Sequence, residues 1–261
     1  MTDSPAKHAA NIIDNYCLGS PEELNIEEIA FAEGLVVKES ELKNFEGTIN
    51  YNNKCGIITV NSRIIDTGQR KFTIAHEMGH FFNERNKPDH LRGCSIEDLN
   101  SFKSKKYNED KANEFAAELL MYRPWFNDFI IKREINFELI KELANYFSVS
   151  LSAAAVRYTN IGKFPAAVIY SKAGKVVWSA FHDYFPFKFI PKGYSVNKYS
   201  AAFDFFTGKQ CKPVLTLCRQ RFGLLVIIKQ EKMFTYMNKM LLCLIIMQCL
   251  PYYGKVNTAN S

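Results

Sequence analysis

Thr67-Gly68-Gln69-Arg70-Lys71-Phe72-Thr73-Ile74-Ala75-His76-Glu77-Met78-Gly79-His80-Phe81-Phe82-Asn83 places two histidines four residues apart, with a glutamate beside the first and apolar residues on both flanks. Asp66 stands at the N-cap position, and Gln69 three residues on completes a capping-box pattern, so the spacing predicts a helix from about Thr67 to Asn83. On a helix, positions i and i+4 share a face, which lets His76 and His80 reach one metal ion. Glu77 projects beside that ion, where a carboxylate can act as general base toward water. Gly79 leaves room for close approach of another element on the same face. Zinc, one ion per chain, is the favoured metal: it accepts two imidazoles and a carboxylate and keeps a position open for water. Manganese or iron could take the same ligands, so zinc here is a chemical preference.

A catalytic site of this kind needs a third protein ligand. A histidine in the extended HExxHxxGxxH pattern would fall at position 86, which is Asn86, so that class is excluded. Glu109 opens a second predicted helix, from Asn108 to Met121, which stops ahead of Pro124. Asn113 follows Glu109 at i+4, where its amide could orient His76 or His80. Ala112, Ala116 and Leu120 continue the stripe, so packing of this face on the first helix would bring Glu109 to the metal. Glu114 and Glu118 compete for the role, but they lie about 100–140° from the Ala112/Ala116 stripe and read as solvated. His90 and Cys94 fall in residues 84–107, a polar stretch that reads as loop, and a four-residue cage would leave no place for water. His182, among Phe181, Tyr184, Phe185 and Phe187, reads as a packed, hydrogen-bonded histidine. Tyr107 and Tyr122 are near in sequence as oxyanion donors, with nothing to single one out. Gly56 to Val60 reads equally as a core strand or as an edge offered to an extended substrate.

The block Arg70-Lys71-Phe72-Thr73-Ile74-Ala75-His76-Glu77-Met78-Gly79-His80 and the block from Glu109 to Met121 (EDKANEFAAELLM) together resemble the ImmA/IrrE family of metallo-endopeptidases. That family is marked by RxxFTxAHExGH followed by ExxANxFAxxLLMP. The resemblance implies zinc ligands His76, His80 and Glu109, with Glu77 catalytic and Asn113 behind the ligands. It also implies a cytoplasmic hydrolase, a protease acting on a DNA-binding transcriptional repressor of a mobile element or stress response. Tyr122 stands where the second block ends in proline in the family. The resemblance covers roughly residues 5–200 and is firm over 45–125.

The rest of the chain fills out an α+β expectation: a zincin-like metallopeptidase domain with a small sheet over 1–125, a helix-turn-helix-like pair over 126–162, and a smaller α/β, GAF-like region over 163–261. Helices are expected at 5–17, Ile26–Glu33, Glu138–Tyr146 and Leu151–Thr159. Strands are expected at Gly34–Lys38, Gly47–Tyr51, Gly56–Val60, Ala166–Tyr170 and Lys175–Ala180. Residues 1–130 carry 15 Lys+Arg against 21 Asp+Glu, a net of −6, and the remainder 18 against 6, a net of +12. No dense basic run accompanies that excess, and Leu151–Thr159 holds only Arg157, so direct nucleic-acid binding is disfavoured. Seven cysteines, an odd number with no CxxC, fit free thiols in a reducing cytoplasm. Met233–Tyr253 is apolar but broken by Asn238, Lys239 and Gln248, which favours a buried element over a membrane span. A protein substrate is the expected partner. The rival reading is a binding protein that sequesters a repressor or touches DNA without cutting.

Overall fold

The computed structural model describes residues 4–52, 54–84, 90–94, 107–185, 190–196, 207, 214–216, 226–228 and 240–246, with backbone alone for 84, 90–94, 107 and the three strands after 207. The chain divides into two compact units, Met1–Gly162 and Lys163–Ser261.

The first unit begins with α1 (Pro5–Asn15), entered through Ser4, whose hydroxyl accepts from Lys7 N, and through a proline at the first helical position. A 3-10 turn (Pro21–Glu23) leads to α2 (Ile26–Ala32), capped by Asn25. Strands β1 (Leu35–Ser40), β2 (Gly47–Tyr51) and β3 (Gly56–Asn61) follow, and then α3 (Thr67–Glu84). β4 (His90–Cys94) separates α3 from α4 (Tyr107–Leu120). α5 (Arg123–Ile130), α6 (Phe137–Tyr146) and α7 (Leu151–Ile161) complete the unit.

The sheet order is β1-β3-β2-β4, with β1 parallel to β3 and the other pairs antiparallel. Two expectations change here. Gly56–Asn61 is a central strand, paired on both sides, so it offers no edge to a substrate. The stretch expected as loop contains β4, which pairs with β2 from Tyr51↔His90 to Gly47↔Cys94. Its sequence, HLRGC, lacks the alternation that marks a half-buried strand, and partner pairing supplies what propensity does not.

β2 alternates, with Gly47, Ile49 and Tyr51 buried toward α3. Tyr51 meets Phe81 edge to face at 5.7 Å. On the other side of α3, Phe82 packs on Phe115 of α4 at 5.3 Å, and His8 of α1 lies over Phe82 at 4.4 Å. Asp66 caps α3 by accepting from Gln69 N at 2.6 Å. The Gln69 side chain turns to the sheet, where its amide N–H donates to Glu46 at 3.1 Å. Arg70 ties α3 to α2 and β1 through Glu27 and Glu39. A Cβ on Gly68 would lie 2.6 Å from Ser150 N, so the start of α3 abuts the turn between α6 and α7.

In the second unit, β5 (Ala166–Lys172) pairs antiparallel with β6 (Lys175–Phe181) and with β9 (Met240–Ile246), and β7 (Val214–Thr216) pairs with β8 (Val226–Ile228). The Met240–Ile246 part of the apolar tail is thus a strand, and the rest of Met233–Tyr253 lies outside the described residues. Among the described residues no helix is long and apolar enough to cross a membrane. His182 is buried, and its Nδ1 accepts from Tyr184 N at 3.1 Å; Phe187 lies outside the described residues.

Candidate metal centre

α3 presents its chemistry to two neighbours. Toward α4, a Cβ on Gly79 would lie 2.8 Å from Ala112 Cα, so only glycine lets the two helix backbones approach this closely. Toward the sheet, a Cβ on Gly47 would lie 2.5 Å from Thr73 Cγ2 and 3.0 Å from Glu77 Oε1. The two glycines therefore fix the faces on which His76, Glu77 and His80 meet α4 and β2.

The close approach at Gly79 brings three side chains together. His76 Nε2 and His80 Nε2 lie 3.0 Å apart, and Glu109 Oε2 is 3.2 Å from the first and 3.3 Å from the second. Behind this cluster, His76 Nδ1 lies 2.9 Å from Asn113 Oδ1. The Nδ1–H donates to that amide oxygen, which leaves Nε2 as a lone pair directed at the other two groups. His76, Glu77 and His80 are at most 2% exposed and Glu109 is 8% exposed. His80 Nδ1 is buried with no hydrogen-bond partner among the described residues.

The donor set fits a metal ion. A lone pair that faces a carboxylate oxygen and a second imidazole nitrogen in a dry interior is unfavourable unless a cation or a shared proton lies among them. A tetrahedral zinc site with bonds of about 2.0–2.1 Å spaces its ligand atoms by about 3.4 Å, close to the three separations found. Burial alone raises the pKa of Glu109, but its close contacts with the His76 and His80 rings outweigh it and hold the carboxyl well below the ordinary range. Burial lowers the pKa of His76 against the opposing pull of Glu109. An ionised carboxylate beside a neutral imidazole is the protonation state a metal requires of its ligands. The three side chains can hold a metal ion.

Residues 30–159 match the IrrE N-terminal-like domain, peptidase family M78. The chain belongs to that family. No curated protein matches it in sequence. Among solved structures, a Mycobacterium tuberculosis transcriptional regulator is similar at 12% identity and a TM-score of 0.59, over 93% of this chain and 76% of that one. At that identity the likeness is one of fold alone. The IrrE-like match runs from α2 through most of α7, so it takes in both ligand-bearing helices and the helical pair behind them.

Other candidates fall away from this centre. Glu114 is exposed, as expected. Glu118 is not solvated: it is 4% exposed, its Oε2 pairs with Arg157 at 2.5 Å, and its Oε1 accepts from Arg123 N at 2.9 Å. Arg157, the one basic residue on its helix that could have met phosphate, is itself buried and also donates to Met121 O. Tyr122 packs edge to face on Trp125 at 5.3 Å, just beyond the C-terminus of α4, about 16 Å along the helix from Glu109, and is no oxyanion donor for this centre. The side chains of Tyr107, His90 and Cys94 lie outside the described residues. The sequence reading missed Gly47 and Glu46; a glycine opening a strand directly after an acid was the one available signal.

Proposed function

We propose that the IrrE-like domain is a zinc-dependent endopeptidase that hydrolyses a peptide bond in a regulatory protein, a helix-turn-helix repressor by the family resemblance. The convergence of His76, His80 and Glu109 beside Glu77 carries this reading. A zinc ion held there would polarise the scissile carbonyl and lower the pKa of water. Asn113 holds the His76 ring so that Nε2 faces the ligand cluster. Glu77, anchored between the ligand helix and Gly47, takes the proton from the attacking water and delivers it to the leaving amine. The Lys163–Ser261 unit, read as GAF-like, and the helical pair at 126–162, read as distinct from a peptidase part at 1–125, would select the substrate or sense a signal. We place the activity in the cytoplasm, with no direct nucleic-acid contact.

The burial of Glu77 and His76 favours a second reading, in which a metal-stabilised domain binds a repressor without cutting it. Metal content and cleavage decide between them. Wild-type protein is expected to carry one zinc per chain, lost in Glu109→Ala and His80→Ala. Glu77→Gln is expected to keep zinc and to lose release of the repressed genes in cells. Full release by Glu77→Gln would leave the binding reading standing, and a wild type that takes no zinc after reconstitution would remove both metal-dependent readings.

A further inference from the structure

We infer that the open cleft at the start of β2 and α3 is a substrate subsite that takes a lysine or arginine side chain of an extended polypeptide. The inference rests on the proteolytic reading above and names the chemistry of the segment it acts on.

The cleft has a volume of about 710 Å³, within the ordinary range of ligand pockets. Its walls include Leu42, Phe45, Ile64 and Ile65, and the last is 95% exposed while Phe45 is 42% exposed. Apolar side chains held this far into water around a concave surface mark a place where another molecule covers them. Asn61 keeps the wall in shape: its amide donates to Leu42 O at 2.8 Å and Phe45 O at 2.7 Å, and its oxygen accepts from Arg63 N at 3.1 Å.

Among these residues lies Glu46, 8% exposed, with the neutral Gln69 amide as its hydrogen-bond partner. The nearby charges do not neutralise it. Arg63 is engaged by Glu41, Asp66 caps α3, and Lys43 is exposed. Burial therefore pushes the Glu46 carboxyl up, the opposite of Glu109, where basic rings stand against the acid. An apolar wall above a buried, uncompensated acid is complementary to a side chain with an aliphatic stem and a cationic tip.

The cleft reaches Gln69 at the start of the helical stripe that carries Glu77. Gln69, Thr73 and Glu77 recur every four residues on α3 and face the start of β2: Gln69 meets Glu46, while Thr73 and Glu77 meet Gly47. The eight residues from Gln69 to Glu77 span about 12 Å, which an extended chain covers in about four residues. The basic side chain would thus lie within about four residues of the cut bond. DNA-binding proteins carry exposed Lys and Arg for their phosphate contacts, so a repressor offers such segments.

The test uses the full chain as the zinc-loaded Glu77→Gln variant, so that binding is read without turnover. The probes are two fluorescein-labelled, alanine-rich peptides that differ by one central arginine or citrulline. Fluorescence anisotropy is expected to show at least tenfold tighter binding of the arginine peptide, and adding Glu46→Gln, which can still accept from Gln69, is expected to erase the difference. Equal affinity of the two peptides for the protein that retains Glu46 overturns the subsite, as does a preference that survives Glu46→Gln. Release of the repressed genes in cells tests the underlying reading separately. Full release by Glu77→Gln beside a tenfold preference for the arginine peptide overturns proteolysis and leaves the basic-side-chain site in place, whereas loss of release with equal affinity for the two peptides overturns the subsite alone.

Discussion

Helix α4 carries a buried glutamate near each end, and their surroundings give them different work. Glu109 meets two imidazole nitrogens at 3.2 and 3.3 Å, an arrangement that leaves lone pairs converging on one point. Glu118 meets the Arg157 guanidinium at 2.5 Å and the Arg123 amide at 2.9 Å, an arrangement in which acceptors and donors match. The first end is under-satisfied without a cation, and the second is complete by itself. A buried carboxylate is thus marked as functional by what its partners still lack, and burial alone does not distinguish the two.

The largest expected effect breaks the complete end. Glu118→Ala leaves the Arg157 charge buried with only the exposed Glu114 to oppose it; even with Glu118 present, burial holds that guanidinium below its ordinary pKa. Removing one partner of a buried pair costs about 3–5 kcal/mol, whereas replacing both by apolar residues is often neutral. Chemical denaturation of the metal-free protein should therefore show a large loss for Glu118→Ala and recovery in the double variant Glu118→Leu with Arg157→Met. A loss of under about 1 kcal/mol, the worth of an exposed pair, would contradict the contrast.

Much of this contrast was legible in the sequence, and the part that was not has a physical cause. The i, i+4 spacing of His76 and His80 and the stripe Ala112, Ala116, Leu120 identify the faces that meet, because a helix that packs on one neighbour buries one stripe. Glu118 escaped that logic because the last turn of α4 is covered on a second side: Arg157 of α7 reaches both its carboxylate and Met121 O. Glu114, one turn earlier on the same face, stays exposed. No local pattern announces a covering element that lies far along the chain. Nor could one show that β4 would take the place beside β2, since strand order is set by pairing between distant segments.

A middle-sized effect sharpens the other end. Gly79→Ala puts a methyl 2.8 Å from Ala112 Cα and 3.0 Å from Ala112 O, contacts that backbone cannot yield without the helices separating. Overpacking of this kind costs about 1–3 kcal/mol. The separation also withdraws Glu109 from the histidines, so zinc affinity measured by competition with a chelator should fall together with stability. If the Gly79→Ala variant keeps wild-type zinc affinity, close approach of α3 and α4 is not what assembles the centre.

The smallest effect concerns a third buried glutamate, which has neither metal partners nor an arginine. Glu46 is held by a neutral amide, and burial raises its pKa. A carboxyl whose folded pKa lies above its unfolded value is penalised when ionised, so the cost is full above the folded pKa and vanishes below the unfolded one. Glu46→Gln should therefore stabilise the protein at pH 7, by no more than about 0.5 kcal/mol, the ordinary range for a change that leaves packing alone. The gain should disappear below about pH 4.3, the ordinary glutamate value. A stabilisation that persists at acid pH would mean packing rather than charge, and would remove the uncompensated acid on which the contrast with Glu109 and Glu118 depends.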